Sequence, residues 1–287
     1  MFNRIVDAAK RALGLQMTDR DFTVFPDDTF LVSYPKSGNT WARFLVGNIV
    51  RPHENVDFSN INGIVPGPGA TSDRELRRMA RPRIIKSHQY FDPRYARVIY
   101  IARDPRDVAV SQYHFQRKRK LFGDDYPIEK FVERFVAGRT CDYASWGEHV
   151  GSWLSTRNGQ PGFLLLRYED MIRDTAHELS RIASFLGLDV TPDVIQKAVA
   201  KSSANKMREL EKSQAQMFAI TKDTRQDVPF VRAANAGGWR SELPAPLVHR
   251  IEAAWAPLMR YLGYELTSPG IEKPGALETI LQTATIS

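Results

Sequence analysis

The sequence predicts an α/β fold in which a central parallel sheet is covered by helices on both faces. Three observations carry that prediction. Phe30–Tyr34, Arg97–Ala102 and Phe163–Arg167 are short, nearly continuous apolar runs, the pattern of strands buried on both sides. Each run is followed by a stretch with helical periodicity, so successive strands should be joined by right-handed crossovers. The chain has 287 residues, 43% of them hydrophobic, which is enough for one large core.

The elements follow in order. Residues 1–20 carry Ile5, Val6, Ala9 and Leu13 on one side of a short amphipathic helix, expected to dock on the core. After the first strand, Thr40–Val50 places Trp41, Phe44, Leu45 and Val46 on a helix. The Gly-, Pro- and Asn-rich stretch 56–69 reads as a loop, and Arg83–Lys86 as a shorter fourth strand. The strand Arg97–Ala102 leads into a helix over Pro105–Phe115, with Asp104 as N-cap and Pro105 at the first helical position. Residues 115–153 form a mostly helical insertion. Beyond the strand Phe163–Arg167, helices are expected over Thr175–Leu186, stopped by Gly187, over Pro192–Ala200, and over Pro246–Leu262, stopped by Gly263. The polar stretch 213–238 has the length and irregularity of a functional lid. The expected organisation is an N-terminal helical segment (1–27), a single domain (28–266) and a C-terminal arm or tail (267–287).

Composition excludes several classes. Charged residues make up 25% of the chain, and there is a single cysteine, Cys141. A wholly disordered chain, a disulfide framework and a Cys-based zinc site are therefore ruled out. His53, His149, His177 and His249 show no metal-ligand spacing. No apolar run approaches the ~18 residues of a membrane helix, so no integral membrane segment is expected. No secretory signal is expected either. Forty Lys and Arg against 33 Asp and Glu give +7, which suits a polyanionic ligand. The run Arg117–Lys120 reads as a solvated helix end or as an attractor for an anionic acceptor or a membrane surface. It lacks the aromatic interleaving of a nucleic-acid site, so no nucleic-acid partner is expected.

Two motifs carry chemistry. In the first, the strand Phe30–Tyr34 runs into Pro35-Lys36-Ser37-Gly38-Asn39, and a helix starts near Thr40. Unpaired N–H groups and the dipole at a helix N-terminus make an anion site. Gly38 allows close backbone approach, Lys36 adds a full charge, and Ser37 and Thr40 add hydroxyls. A nucleotide P-loop places its lysine late, beside the residue that holds magnesium; here Lys36 precedes the glycine. That order, without an evident magnesium-holding carboxylate, points to an anion transfer that needs no metal. In the second motif, Arg103 ends a strand and Ser111 lies two turns into the next helix. A forked guanidinium and a hydroxyl can hold another phosphate. Two separated anion sites imply a ligand with two separated phosphate-like groups.

Together the two motifs resemble those of the sulfotransferases that use PAPS, 3′-phosphoadenosine 5′-phosphosulfate, whose product is PAP. Tyr34–Trp41 resembles the family's 5′-phosphosulfate loop and Tyr100–Ser111 its 3′-phosphate motif, and the likeness extends over roughly residues 28–266. The resemblance implies a P-loop-like three-layer α/β fold, with the helical insertion and lid as its cover. It also implies PAPS as co-substrate, held by Lys36, Ser37, Gly38, Asn39, Thr40, Trp41, Arg103, Ser111, Tyr168, Ser202 and Arg232. Tyr168, in Leu166-Arg-Tyr-Glu-Asp-Met171, matches the tyrosine against the adenine, and Trp41 the tryptophan that stacks on it. Ser202 matches a threonine that contacts the adenine, and Arg232 an arginine on the 3′-phosphate. His88, in Ile84-Ile-Lys-Ser-His88, is implied as the general base, with Lys86 beside it stabilising transferring charge; Lys36 completes the implied catalytic set. Taken on its residues alone, His88 could equally be a histidine bonded to its neighbours, with Asp92 or Glu148 as the base.

The sequence also departs from the family pattern. Asn39 replaces a usual threonine. Ala204 stands where an aromatic ring often covers the adenine, and Ala233-Ala234 replace Lys-Gly after Arg232. Arg106 or Arg240 could supply the missing charge. The short C-terminal dimer motif of the animal cytosolic enzymes has no clear match, so a homodimer stays open and their dimer mode is not implied. Phe91, Tyr95, Tyr113, Phe122, Tyr126 and Trp146 are divided evenly between an acceptor pocket and the core. The expected activity is in-line sulfuryl transfer from PAPS to a hydroxyl, or an amine, of a small-molecule acceptor in the cytoplasm. The alternatives are a P-loop-type ATP-dependent small-molecule kinase and a non-catalytic PAP-binding protein. Some relatives draw sulfuryl groups from an aryl sulfate by way of bound PAP.

Overall fold

The computed structural model describes residues 20–271 apart from Ala219. The helix expected over residues 1–20 lies outside the described residues except for Arg20, and the 267–287 arm lies outside them beyond Ile271. Four strands, β1 (Thr29–Ser33), β2 (Ile84–Ser87), β3 (Arg97–Ala102) and β4 (Phe163–Arg167), form one sheet in the order β2-β1-β3-β4. All three pairings are parallel, with Val32 opposite both Ser87 and Tyr100, and Ile101 opposite Leu166. The carboxyl ends of the strands therefore share one edge, where ligands of open α/β sheets bind.

Alternation along β1 and β3 feeds two cores. Phe30, Val32 and Tyr100 pack with Trp146, Trp153 and Ile251 on one face. Leu31, Ile99 and Ile101 pack with Leu45, Val46 and Ile182 on the other. All eight of the named sheet and helix aliphatics among these are at most 1% exposed. Full burial of such a side chain is worth about 1.5–3 kcal/mol, which holds the sheet against both helical layers.

The first helical layer contains α1 (Asn39–Val50), and α2 (Ile61–Ile64) and α3 (Asp73–Arg78) lie in the connection to β2. After β3 comes α4 (Pro105–Lys118), followed by α5 (Ile128–Val136) and α6 (Trp146–Arg157) of the expected helical insertion. Asp104 caps α4 by accepting from the Arg106 N–H at 2.9 Å. Beyond β4 lie α7 (Tyr168–Arg173), α8 (Thr175–Leu186), α9 (Pro192–Lys201) and α10 (Ala204–Gln214), then α11 (Trp239–Glu242) and α12 (Ala245–Tyr261). Gly187 and Gly263 take left-handed φ of 72° and 73° and stop α8 and α12, a conformation that glycine adopts without a Cβ clash.

The stretch from Ala215 to Gly238 has turns and no regular element among its described residues. Lys118 anchors it. Its ammonium donates to the carbonyls of Arg225 (2.9 Å) and Val228 (2.7 Å) and pairs with Glu211 at 3.1 Å. Glu211 in turn accepts from the N–H groups of Phe230 and Val231 at 2.6 and 2.9 Å. Lys118 is 1% exposed, so this part of the Arg117–Lys120 run is neither a solvated helix end nor an acceptor attractor. A buried ammonium must be fully partnered, and the lid supplies the partners.

Candidate active site

A cavity of about 1220 Å³ opens at the carboxyl edge of the sheet. Lys36, Gly38, Asn39, Thr40, Trp41, Lys86, His88, Arg103, Ser111, Tyr168, Ser202 and Arg232 all line it. Of the expected site residues only Ser37 is not in its wall; it is fully buried, and its hydroxyl has no partner.

The first motif folds as a tight turn, with the Ser37 N–H donating to the Tyr34 carbonyl at 3.2 Å. Lys36 and Gly38 both take positive φ, 70° and 91°. A Cβ on Gly38 would stand 2.5 Å from the Tyr168 ring, so only glycine lets loop and ring approach. The first bond within α1 runs from the Ala42 N–H to the Gly38 carbonyl at 3.0 Å. The N–H groups of Asn39, Thr40 and Trp41 therefore have no helical acceptor. The Lys36 ammonium sits 4.2 and 4.1 Å from the ring centres of Phe115 and Phe230. Burial, followed by the nearby Arg103 cation, pushes it down to about 7.

Arg103 is placed by three contacts. Its guanidinium lies 4.2 Å from the Tyr168 ring centre and donates to the carbonyls of Lys36 (3.0 Å) and Asn235 (3.3 Å). Its Nε is buried and has no partner. An unmatched buried donor costs about 1–3 kcal/mol. Such a donor beside a helix N-terminus, a lysine and a glycine held clear of side chain fits a bound anion. Asp107, which could have paired with Arg103, instead accepts from the N–H groups of Gly237 (2.7 Å) and Trp239 (2.9 Å). Arg232 donates to Glu242 at 2.6 Å.

The expected adenine contacts also meet. Trp41 and Tyr168 pack edge to face with ring centres 5.9 Å apart. The Trp41 Nε1–H donates to the Ser202 carbonyl at 2.9 Å, and the Ser202 hydroxyl accepts from Asn48 at 3.1 Å. Ala204, Met207 and Ile220 also line the cavity.

His88 follows directly on β2. Its Nδ1 lies 2.7 Å from the Ser33 carbonyl. A carbonyl only accepts, so Nδ1 carries the proton and Nε2 keeps its lone pair. Burial, and next the Lys86 cation, hold the imidazole pKa well below 6.5. The competing carboxylates are committed elsewhere. Asp92 is gripped by Arg94, with Oδ2 2.7 Å from its Nη2, and Glu148 closes the capping box of α6 on Ser145.

Three further expectations are resolved. Arg106 cannot compensate for Ala233: it is 1% exposed and bound to Asp104 and Glu252. Arg240 lies against Trp239 and Glu265 and is not in the cavity wall. The six aromatics divided between pocket and core all belong to the core cluster or pack against it, and Tyr143 and Phe115 line the cavity instead. Tyr143 has no motif to mark it; its ring is brought within 5.8 Å of His88 by the fold. Among the described residues, no group of three or more His, Cys, Asp or Glu could hold a metal ion.

Comparison with known proteins places the chain. The sulfotransferase domain family matches residues 26–263. Sulfotransferase 1A1 of Rattus norvegicus is 31% identical over 84% of this chain and 87% of its own. Sulfotransferase 1B1 of Canis lupus familiaris is 30% identical over 75% and 78%. In fold, the chain is similar to mouse sulfotransferase SULT7A1 in complex with PAP, with a TM-score of 0.71 and 24% identity, covering 97% of this chain and 95% of that one. A retinol dehydratase in complex with androsterone and PAP gives 0.67 and 22%, covering 90% and 87%. The chain belongs to the sulfotransferase family, PAPS-dependent enzymes of this P-loop-like α/β fold.

Proposed function

We propose that the protein transfers the sulfuryl group of PAPS to a hydroxyl of a small-molecule acceptor, with His88 as general base. The catalytic unit in this proposal is residues 28–266, acting in the cytoplasm. One observation carries it: the imidazole of His88, protonated on Nδ1 by its bond to Ser33, stands in the same cavity as the anion donors of Lys36, Arg103 and the α1 N-terminus. When bound, PAPS supplies an activated sulfuryl group whose departure leaves PAP.

The chain's residues divide the work. The N–H groups of Asn39, Thr40 and Trp41, with Lys36, hold the 5′ end of the nucleotide. Arg103, Ser111 and Arg232 hold the 3′-phosphate, and Trp41, Tyr168 and Ser202 the adenine. His88 Nε2 takes the proton of the acceptor hydroxyl. Lys36 and Lys86 offset negative charge that grows on the oxygens around sulfur, where preorganised cations act most strongly in a water-poor cleft. Holding both reactants in one cavity supplies much of the remaining rate. Retinol dehydratase, similar in fold, is known in complexes with retinol and with androsterone, which supports an apolar acceptor in the same cleft. The kinase alternative is not favoured, since the family match is to sulfotransferases.

The test is calorimetric titration with PAP, adenosine 5′-phosphate and ADP, with and without magnesium, followed by turnover of PAPS with a panel of hydroxyl acceptors. PAP should bind most tightly without metal. His88→Ala should lower turnover by roughly 10²–10⁴-fold and leave PAP binding nearly unchanged. Preference for magnesium-ADP would overturn the donor, and full turnover in the variant would overturn the base.

A further inference from the structure

A second histidine lies behind the site and has no part in the chemistry just described. His149, on α6, is fully buried and is not in the cavity wall. Its Nε2 stands 3.0 Å from the carbonyl oxygen of His88, and its Nδ1 2.9 Å from the hydroxyl of Tyr100 on β3. The carbonyl can only accept, so Nε2 carries the proton and Nδ1 accepts from the Tyr100 hydroxyl. The edge of the Tyr34 ring packs against the imidazole at 5.4 Å between ring centres. Burial pushes His149 down to about 4, so the ring stays neutral and this one tautomer persists at physiological pH.

Other α6 side chains act on the same strip of backbone. The Trp153 indole N–H donates to the Gln89 carbonyl at 3.0 Å, and the Ser152 hydroxyl accepts from the Phe91 N–H at 3.3 Å. Residues 88–91 follow the last residue of β2 and have no ladder of their own. Their backbone is held by α6 instead, and the sheet beneath fixes α6 through Tyr100.

We infer that His149 is a positioning residue for sulfuryl transfer: it grips the peptide of His88 from behind, while Ser33 grips the imidazole from the side. The inference rests on the reading of His88 as general base. Two fixed points, one on the main chain and one on Nδ1, leave the ring little freedom to turn. Nε2 is thereby aimed into the cavity before the acceptor arrives. Loss of the grip lets the peptide of His88 rotate, and a misplacement of about 1 Å costs on the order of 10²-fold in rate.

The test is a double-mutant cycle with PAPS and any accepted hydroxyl compound. His149→Phe keeps an aromatic ring but removes both hydrogen bonds. His149→Gln returns an amide N–H near the position of Nε2. We expect His149→Phe to lower kcat by roughly 10–100-fold with PAP affinity within about twofold, and His149→Gln to recover most of the loss. In a His88→Ala background, His149→Phe should cost nothing further, because no base remains to be aimed. An equal, additive loss in that background overturns the inference, as does a lowered Tm with unchanged kcat. If His88→Ala alone retains full turnover, the base assignment has failed instead, a result that the same cycle separates from the first. Should His149→Phe not fold, Tyr100→Phe removes only the hydroxyl that orients Nδ1, and it should lower kcat without weakening PAP; no change in kcat there would also overturn the inference.

Discussion

Arg232, in the cavity wall, forms an ion pair with Glu242 at 2.6 Å, where the resemblance implied a phosphate as the partner of Arg232. Glu242 is shared, since His114 Nε2 lies 2.7 Å from its other oxygen. Burial works to raise the Glu242 pKa, but the bonds from Arg232 and His114 outweigh it and hold the carboxyl below its usual value. A carboxylate thus stands where a 3′-phosphate would compete for the same guanidinium. Glu242→Gln should remove that competitor and tighten PAP binding. Side-chain exposures of 30% and 27% let solvent screen the pair, so the gain is about 1.5-fold to fivefold, the range for exposed pairs. Calorimetry with PAP decides it; unchanged or weaker binding would mean that the pair supports the site.

With Lys36 in its proposed role, cofactor binding should depend on pH. In the free protein its ammonium titrates at about 7, lowered by burial first and by Arg103 next. A bound anion restores the charge, so binding above pH 7 must take up a proton. PAP affinity should therefore fall as pH rises from 7 to 9, by at most tenfold per unit. Phosphate oxygens are already fully charged above their second pKa of about 6, which leaves Lys36 as the titrating group. Titrations at pH 8 in two buffers of different ionisation enthalpy measure the proton directly. Equal heats in both would remove Lys36 from the linkage.

His88 should behave in the opposite sense. A base must be neutral to act, and burial with the Lys86 cation keeps the imidazole neutral well below pH 6.5. The acid limb of kcat/KM for the acceptor, measured at saturating PAPS so that Lys36 stays charged, should consequently lie below 6.5, with a flat profile from there to pH 7. A half-loss of rate near pH 7 would show that the group controlling the acid side is not this histidine in this environment.

Ala234 carries strain at the cavity wall. Its φ of 51° is left-handed, at a position where the resemblance implies glycine. An L-residue there costs about 1–2 kcal/mol, whereas glycine adds about 0.4–1 kcal/mol of unfolded-chain entropy. Ala234→Gly should stabilise the protein by a net ~0.5–1 kcal/mol, seen as a small rise in Tm. A fall in Tm would show that the Ala234 methyl contributes more through packing than its backbone loses.

Much of the architecture was legible locally. The strand runs were found within one residue of their observed bounds, and Gly187 and Gly263 stop their helices as expected. These features depend on residue pattern over a single element. The short helices α2 and α3 and the helix α10 were not distinguished from loop, since α2 and α3 are too short to show a period and α10 is mostly polar. Arg106 looked like a spare cation because one of its two carboxylate partners, Glu252, lies 146 residues away, and its pairing with Asp104 is fixed only by burial.

The site divides in the same way. The geometry of the turn between β1 and α1 could be read from the order strand, Lys36, Gly38, helix, because backbone donors and a left-handed glycine are properties of consecutive residues. The tautomer of His88, the burial of Lys118, the second grip of His149 and the diversion of Arg232 to Glu242 could not. Each depends on a partner at least 10 residues away in the chain, brought close by parallel crossovers and helix packing. Burial then decides which charges are neutralised or held apart, and burial is a property of the assembled fold.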